Sequence, residues 1–244
     1  MLKGTEIRNF YNRYKIDPEN LILWMDASFP ENTTARAVDH SKYAYEGAPI
    51  SVEGDKPALT TSEVRNYTFD GVSDWLNWPS NTRLEENANI SVFVWMKWIS
   101  ISAYDRVVCK GDQNGWLLGV DGSSSPYIQF FRTTGLIGRN DQGGDMNFTT
   151  GIWYLYGVTL ATSTDDMDIY IDDQYIYPNS YDTGSGNLLK DNSAYSLRLC
   201  RDDGGGPQYR ANAEIAAFFM FNKKLSTAEV YRIYNTDKKR FNKL

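Results

Sequence analysis

Asn89-Ile90-Ser91-Val92-Phe93-Val94-Trp95-Met96-Lys97-Trp98-Ile99-Ser100 is the stretch that decides the fold. Ile90, Val92, Val94, Met96 and Trp98 occupy alternate positions, so a pleated strand turns all five to one face. The other face carries Ser91, Phe93, Trp95 and Lys97, aromatic in the middle and polar at the ends. As a helix, the segment would be ringed with β-branched and aromatic groups. It therefore reads as a strand buried fully on one side and partly covered on the other. Such a strand belongs in the middle of a sheet in a two-layer β-structure.

Working outward, strand-like runs recur at short spacing. They are expected at 21–26, 64–69, 73–78, 106–110, 115–120, 127–132, 136–139, 152–161, 167–171, 175–177, 196–201 and 214–221, with Gly- and Asp-rich turns between them. Residues 27–62 are polar and turn-rich, so a long irregular connection is expected there. Ser226-Thr227-Ala228-Glu229 forms a capping box. It opens a helix expected over 226–238, with Val230, Ile233 and Tyr234 on one face. Ile7, Phe10, Tyr11 and Tyr14 stand at helical spacing ahead of the Asp17-Pro18 breaker, so 1–20 reads as a short amphipathic arm. The expected architecture is all-β: one antiparallel two-sheet β-sandwich of the jelly-roll kind over 21–244, with one C-terminal α-helix.

The 244 residues suffice for a core without staples. Cys109 and Cys200 lie in strand-like runs and are too few for a disulfide framework. No segment has the apolar length of a membrane span, and the first residues carry no signal-peptide pattern. Charge is unevenly placed. Lys3, Arg8, Arg13 and Lys15 face only Glu6 in the first sixteen residues, and Lys223, Lys224, Arg232, Lys238, Lys239, Arg240 and Lys243 face only Glu229 and Asp237 at the other end. The chain total is −6, so the body between is strongly acidic, which argues against a nucleic-acid partner.

Several residue patterns resemble those of laminin-G-like domains in the concanavalin A-like lectin/glucanase superfamily. They are Phe69-Asp70-Gly71-Val72-Ser73-Asp74-Trp75, the central 90–95 strand, Val107-Val108-Cys109-Lys110-Gly111, Met167-Asp168-Ile169-Tyr170-Ile171-Asp172, and the ending Phe221-Asn222-Lys223-Lys224-Leu225-Ser226 with Glu229-Val230. Two positions depart from the pattern. Asp173 replaces a turn glycine and is expected to tolerate positive φ, and Cys200 stands where glycine is common. The resemblance covers roughly 21–240. It implies the jelly-roll fold and, for free-standing copies, a virion protein of a tailed bacteriophage whose partners are other capsid or tail proteins.

No catalytic residue is expected. His40 is the lone histidine, read as a solvated loop residue without a nucleophile motif nearby. Asp166, Asp168 and Asp172 lack a paired-glutamate pattern and read as solvating an outer strand face. No cofactor is expected, and calcium is the one metal the acidic loops would suit, with Asp141, Asp145, Asp202 and Asp203 as candidate ligands. No single loop offers the six to eight oxygens calcium takes.

Two functions of different class remain open. In the first, the chain is a structural or decoration protein that docks through its basic ends, using Lys3, Arg8, Phe10, Tyr11, Arg13, Tyr14, Lys238, Lys239 and Arg240, with residues 1–16 dispensable for folding. In the second, it is a lectin module whose Phe93, Trp95, Trp153, Tyr154 and Tyr156 form a platform for sugar rings. A glycoside hydrolase stands third.

Overall fold

The computed structural model describes residues 3–33, 37–41, 51–53, 57–61, 63–80, 84, 89–111, 115–121, 125–140, 147–161, 166–176, 179–182, 185–189, 192–202 and 209–243. The chain enters through α1 (Lys3–Tyr14) and β1 (Leu21–Asp26), then passes β2 (Ser51–Glu53), β3 (Ala58–Thr60), β4 (Asn66–Asp70) and β5 (Trp75–Trp78). It continues through β6 (Asn89–Ser100), β7 (Arg106–Lys110), β8 (Trp116–Val120), β9 (Pro126–Asn140) and β10 (Trp153–Ala161). The rest is β11 (Asp166–Ile171), β12 (Gln174–Ile176), β13 (Asn179–Asp182), β14 (Ser185–Leu189), β15 (Leu197–Leu199), β16 (Asn212–Phe221) and α2 (Thr227–Asp237).

Two antiparallel sheets of eight strands result. One runs β12-β11-β10-β6-β16-β4-β3 with β1 also on β16, and the other runs β13-β9-β8-β7-β15-β5-β2 with β14 also on β9. This is the expected sandwich, and β6 sits mid-sheet between β10 and β16. Its alternating stripe of Ile90, Val92, Val94, Met96 and Trp98 enters the core between the sheets, facing Leu76, Val108, Leu118 and Leu199 of the second sheet. β10 lies so close that a Cβ on Gly157 would meet the Phe93 ring at 2.2 Å, so only glycine fits there.

The other face of β6 departs from expectation. It is not half-covered, because Phe93 and Trp95 are fully buried in a second core with Trp24, Phe219 and Phe221. The cover comes from both chain ends. From α1, Phe10 packs edge-on to Trp24 at 5.0 Å. From the C-terminal end, Phe241 stacks on Trp95 at 4.1 Å and Tyr234 stacks on it at 5.9 Å. The α2 capping box forms as its sequence dictates, with Ser226 and Glu229 each satisfying the other's amide.

The ends are locked by charge. Arg13 donates to Asp237 at 2.7 Å and to Asp26 at 3.2 Å, Arg240 donates to Asp26 at 2.9 Å, and the Tyr14 hydroxyl donates to Asp237 at 2.9 Å. Burial pushes the Asp237 carboxyl above its ordinary range, with Arg13 pulling the other way. The expected proximity of the termini is present, but the arm is structural and not a free tether. Deleting residues 1–16 should uncover Trp24 and Phe219 and strand two buried carboxylates. The expected cost is on the order of 5 kcal/mol or more, read as a collapse of the thermal unfolding midpoint or loss of soluble protein. Trp95→Ala, which empties the space under Phe241, should cost about 3–5 kcal/mol in denaturant unfolding.

Smaller differences have local causes. The expected 127–132 and 136–139 runs are one strand, β9, because its partners β8, β13 and β14 share its length. The left-handed residue of the hairpin is Asp172 (φ 58) and not Asp173. Its side chain accepts from Leu155 N–H at 2.9 Å and from Lys243 at 2.6 Å, which fixes it in that conformation. Cys200, where glycine was expected, does take φ 63 while fully buried. Both cysteines are buried and neither is in a disulfide. No helix among the described residues is long and apolar enough to cross a membrane.

Candidate functional site

The aromatic platform expected on the sheet face is not a surface. Phe93, Trp95 and Tyr156 have no exposure and Trp153 is buried, so no sugar ring can stack on them. Tyr156 points into the inter-sheet core, where its hydroxyl donates to the Gly119 and Tyr127 carbonyls. Only Tyr154 is half-buried, beneath Lys243. The terminal docking set is likewise divided. Phe10 and Tyr14 are core and Arg13 and Arg240 are spent on Asp26 and Asp237, while Tyr11 and Lys239 face outward and Lys238 lies over Tyr234. The side chains of Lys3 and Arg8 lie outside the described residues, although α1 runs through both positions.

His40 is not solvated. It is buried, with its ring 4.2 Å from Phe29. The neighbouring Ser41 hydroxyl donates to the Asp39 carboxylate and the Ile22 carbonyl, a structural use that leaves no activated nucleophile. Asp166 and Asp168 hold Lys224 at 2.5 and 2.8 Å, as befits an outer face. Of the candidate calcium ligands, Asp141, Asp145 and Asp203 lie outside the described residues. Asp202 is buried, and among the described residues no group of three or more His, Cys, Asp or Glu could hold a metal.

A different place gathers functional chemistry: the end of the sandwich where β4 turns into β5, β6 runs into β7, β8 into β9, and β15 into β16. The β4–β5 turn is set by the Phe-Asp-Gly signature. Gly71 takes φ 71, and the Asp70 carboxylate accepts from Val72 and Ser73 N–H at 2.7 and 2.8 Å. Partial burial works against the Asp70 charge, but the amides of Ser73, Val72 and Asp74 outweigh it and hold the carboxyl below its usual range. The turn projects Val72 into solvent and places Trp75 at the start of β5.

Around Trp75 three arginines meet four aromatic rings. Arg201 lies 3.9 Å from the Trp75 ring centre and Arg210 lies 5.6 Å from it. Arg106 opens β7 beside Arg210, the two paired backbone to backbone. Its guanidinium sits 5.1 Å from Tyr127, 5.5 Å from Tyr209 and 6.0 Å from Tyr104. Among the described residues its guanidinium donates to the Val120 carbonyl at 3.3 Å. The Nε atoms of Arg106 and Arg210 and the Nε1 of Trp75 are enclosed without an acceptor among the described residues. Tyr104 (φ 67) stands in strained left-handed backbone, as does Cys200 (φ 63) just after β15.

Exposed apolar groups collect here too. Among the described residues six large hydrophobic side chains are exposed, and Val72, Ile99, Tyr104 and Ile152 all belong to this end. The strand registers show why, because Asn212 pairs with both Ser100 and Asp70, and Trp153 pairs with Lys97. The sequence did not reveal the cluster, because its members come from four connections. The one local signal was arginine beside each strand end, in Asp105-Arg106, Cys200-Arg201 and Tyr209-Arg210. A concavity of about 450 Å³ lies between Lys223, Lys224 and Arg232, whose side chains are engaged. Lys223 is held by Glu229, Lys224 by Asp166 and Asp168, and Arg232 donates to the Lys15 carbonyl.

The family model for laminin G-like domains of the concanavalin A-like lectin/glucanases superfamily matches residues 70–231, and the chain belongs to that family. Among curated proteins no sequence matches it. The fold is similar to the binding domain of Paraclostridial Mosquitocidal Protein 1, with 12% identity, TM-score 0.67, and coverage of 90% of this chain and 52% of that one. It is similar to the ligand binding domain of botulinum neurotoxin serotype D, solved with N-acetylneuraminic acid, with 15% identity, TM-score 0.61, and coverage of 89% and 51%. It is also similar to Trypanosoma rangeli sialidase, with 11% identity, TM-score 0.61, and coverage of 91% and 33%. The chain thus spans about half the length of the toxin binding domains it matches. At these identities the likeness is one of fold.

Asp105, next to Arg106, is buried, accepts from Ser102 N–H at 2.7 Å, and has its carboxyl pushed up by burial to about 6, with Ser102 and Arg106 pulling down. The folded state therefore binds this proton more tightly than the unfolded chain. Its contribution to stability is present below about pH 4 and is lost as pH rises through about 6. Asp105→Asn should remove that part of the pH dependence. In urea titrations the variant should gain stability relative to wild type between pH 4 and 7.

Proposed function

We propose that this chain is a non-enzymatic recognition module that binds carbohydrate through the β4–β5, β6–β7 and β15–β16 end, and that it is presented on a virion. The observation that carries the recognition reading is that exposed Val72, Ile99, Tyr104 and Ile152 stand at the same end of the sandwich as arginines stacked on rings. Aromatic and arginine side chains with a partly wet surface are the residue types that recognition sites favour. The other candidate faces are occupied by the chain's own termini. The lectin family and the toxin binding domains of like fold support binding over turnover, as does the commitment of Asp166, Asp168, Ser41 and His40 to structural contacts. The virion setting is supported by the motif resemblance, and a mass-spectrometric inventory of purified particles tests it.

A glycan array probed with wild type and Tyr104→Ala tests the recognition reading. The expected outcome is a sugar-dependent signal that falls about tenfold when the exposed ring is removed, at unchanged thermal stability. No sugar-dependent signal from the wild type would favour a purely structural role.

A further inference from the structure

We propose that Lys110 and Asn192 are partners in a covalent cross-link, an amide bond between the lysine Nζ and the asparagine Cγ that the folded chain makes in its own interior. The inference is independent of the carbohydrate reading. The two residues are 82 apart in sequence and meet beside β7. Lys110 ends β7, paired with Trp116 of β8 on one side and with Leu197 of β15 on the other. Its side chain is fully buried, and Asn192, in the β14–β15 connection, is 3% exposed. Nζ donates to the Asn192 backbone carbonyl at 2.9 Å and also to Oδ1. Cγ is bonded directly to Oδ1, so the amine stands beside the carbon it would attack.

The asparagine is held by its oxygens. Its backbone carbonyl takes a second donor, Tyr195 N–H at 3.0 Å, while its Nδ2 is enclosed with no acceptor. Buried donors without partners are rare in folded proteins, and this one is the group that amide formation expels. The surroundings are dry and tight. Trp116 and Leu197 are buried, and a Cβ on Gly115 would meet the Lys110 carbonyl oxygen at 1.7 Å and the Asn192 Cβ at 3.3 Å. An amine held against a carboxamide in such a place reacts intramolecularly, and water is kept from competing as the nucleophile. The product also suits the site better, because a buried ammonium is costly even when hydrogen-bonded, whereas an amide is neutral.

In the step, a proton leaves Nζ, the Nζ lone pair forms the bond to Cγ, and the Cγ–Nδ2 bond breaks. Nδ2 departs with the two protons given up by Nζ. One lysine ammonium and one carboxamide thus become one secondary amide and one ammonium ion. Nothing is oxidised or reduced, and no co-reactant is consumed. The bond ties the end of β7 to the connection that enters β15, and so braces two adjacent strands of the second sheet.

The experiment is the intact mass of the purified full chain, measured in denaturant and followed by peptide mapping. The expected result is a mass one ammonia below that of the sequence, with a branched peptide joining residues 110 and 192. Lys110→Met, which keeps a buried apolar stem but has no amine, and Asn192→Ala should each show the full mass. Both variants should also unfold at a lower temperature, since a cross-link between distant residues restricts the unfolded chain. The wild-type mass alone decides the matter if either variant fails to fold.

A wild-type mass equal to that of the sequence would overturn the proposal and leave the pair as a hydrogen bond. So would an ammonia deficit that persists in Lys110→Met, or one that mapping places elsewhere, as in a succinimide at Asn114-Gly115.

Discussion

Asp26 and Asp237 are enclosed where α1, β1 and α2 meet, and a carboxylate so placed is tolerated only with cationic or hydrogen-bonding partners. Arg13 reaches both, Arg240 reaches Asp26 from the far end of the chain, and Tyr14 completes the shell of Asp237. Burial opposes the Arg13 charge, yet Tyr14, Asp237 and Asp26 together hold its pKa above the ordinary value. The network closes only when both termini are home. The terminal helices are in turn what keeps Phe93, Trp95, Phe219 and Phe221 out of water. One polar knot at the seam thus governs whether the first sheet can carry apolar residues on both faces.

This arrangement divides the molecule by role. Among the described residues the inter-sheet core and the helical cap take up most of the large apolar side chains, while the loop end gathers aromatic rings and guanidinium groups. Two of the five left-handed non-glycine residues described, Tyr104 and Cys200, lie there as well, and the β7–β8 ladder carries an irregularity between Arg106 and Val108. A rigid frame with a chemically rich end suits binding, because the rings and guanidinium planes are ordered before a ligand arrives.

The sequence was most informative where a pattern is local. The period-2 stripe of β6, the Ser226–Glu229 capping box and the helical spacing of Phe10 and Tyr14 each depend on neighbours a few residues away, and each is present. It misled where the deciding partner is distant. Phe93 and Trp95 announce an apolar outer face, but nothing within β6 says that residues 10 and 241 will cover it, so a buried layer read as a sugar platform. Arg13, Arg240 and Lys243 read as a docking surface because their acceptors Asp237, Asp26 and Asp172 are respectively 224, 214 and 71 residues away in sequence. The loop-end cluster was invisible for the same reason, being assembled from residues 75, 104, 106, 127, 201, 209 and 210.

The pairing of β1 with β16 also sets a timetable. Leu21 to Asp26 are made about 200 residues ahead of their strand partner, Ala217 to Phe221. At typical synthesis speeds of about 5–20 residues per second, the first strand and its helix wait roughly 10–40 s for a mate. Throughout that interval Phe10, Tyr14 and Trp24 have one another but lack the rings of Phe219 and Phe221. An aromatic surface therefore stands incomplete while residues 27–216 are being made, and holdase chaperones that shield such surfaces have their longest task at α1 and β1.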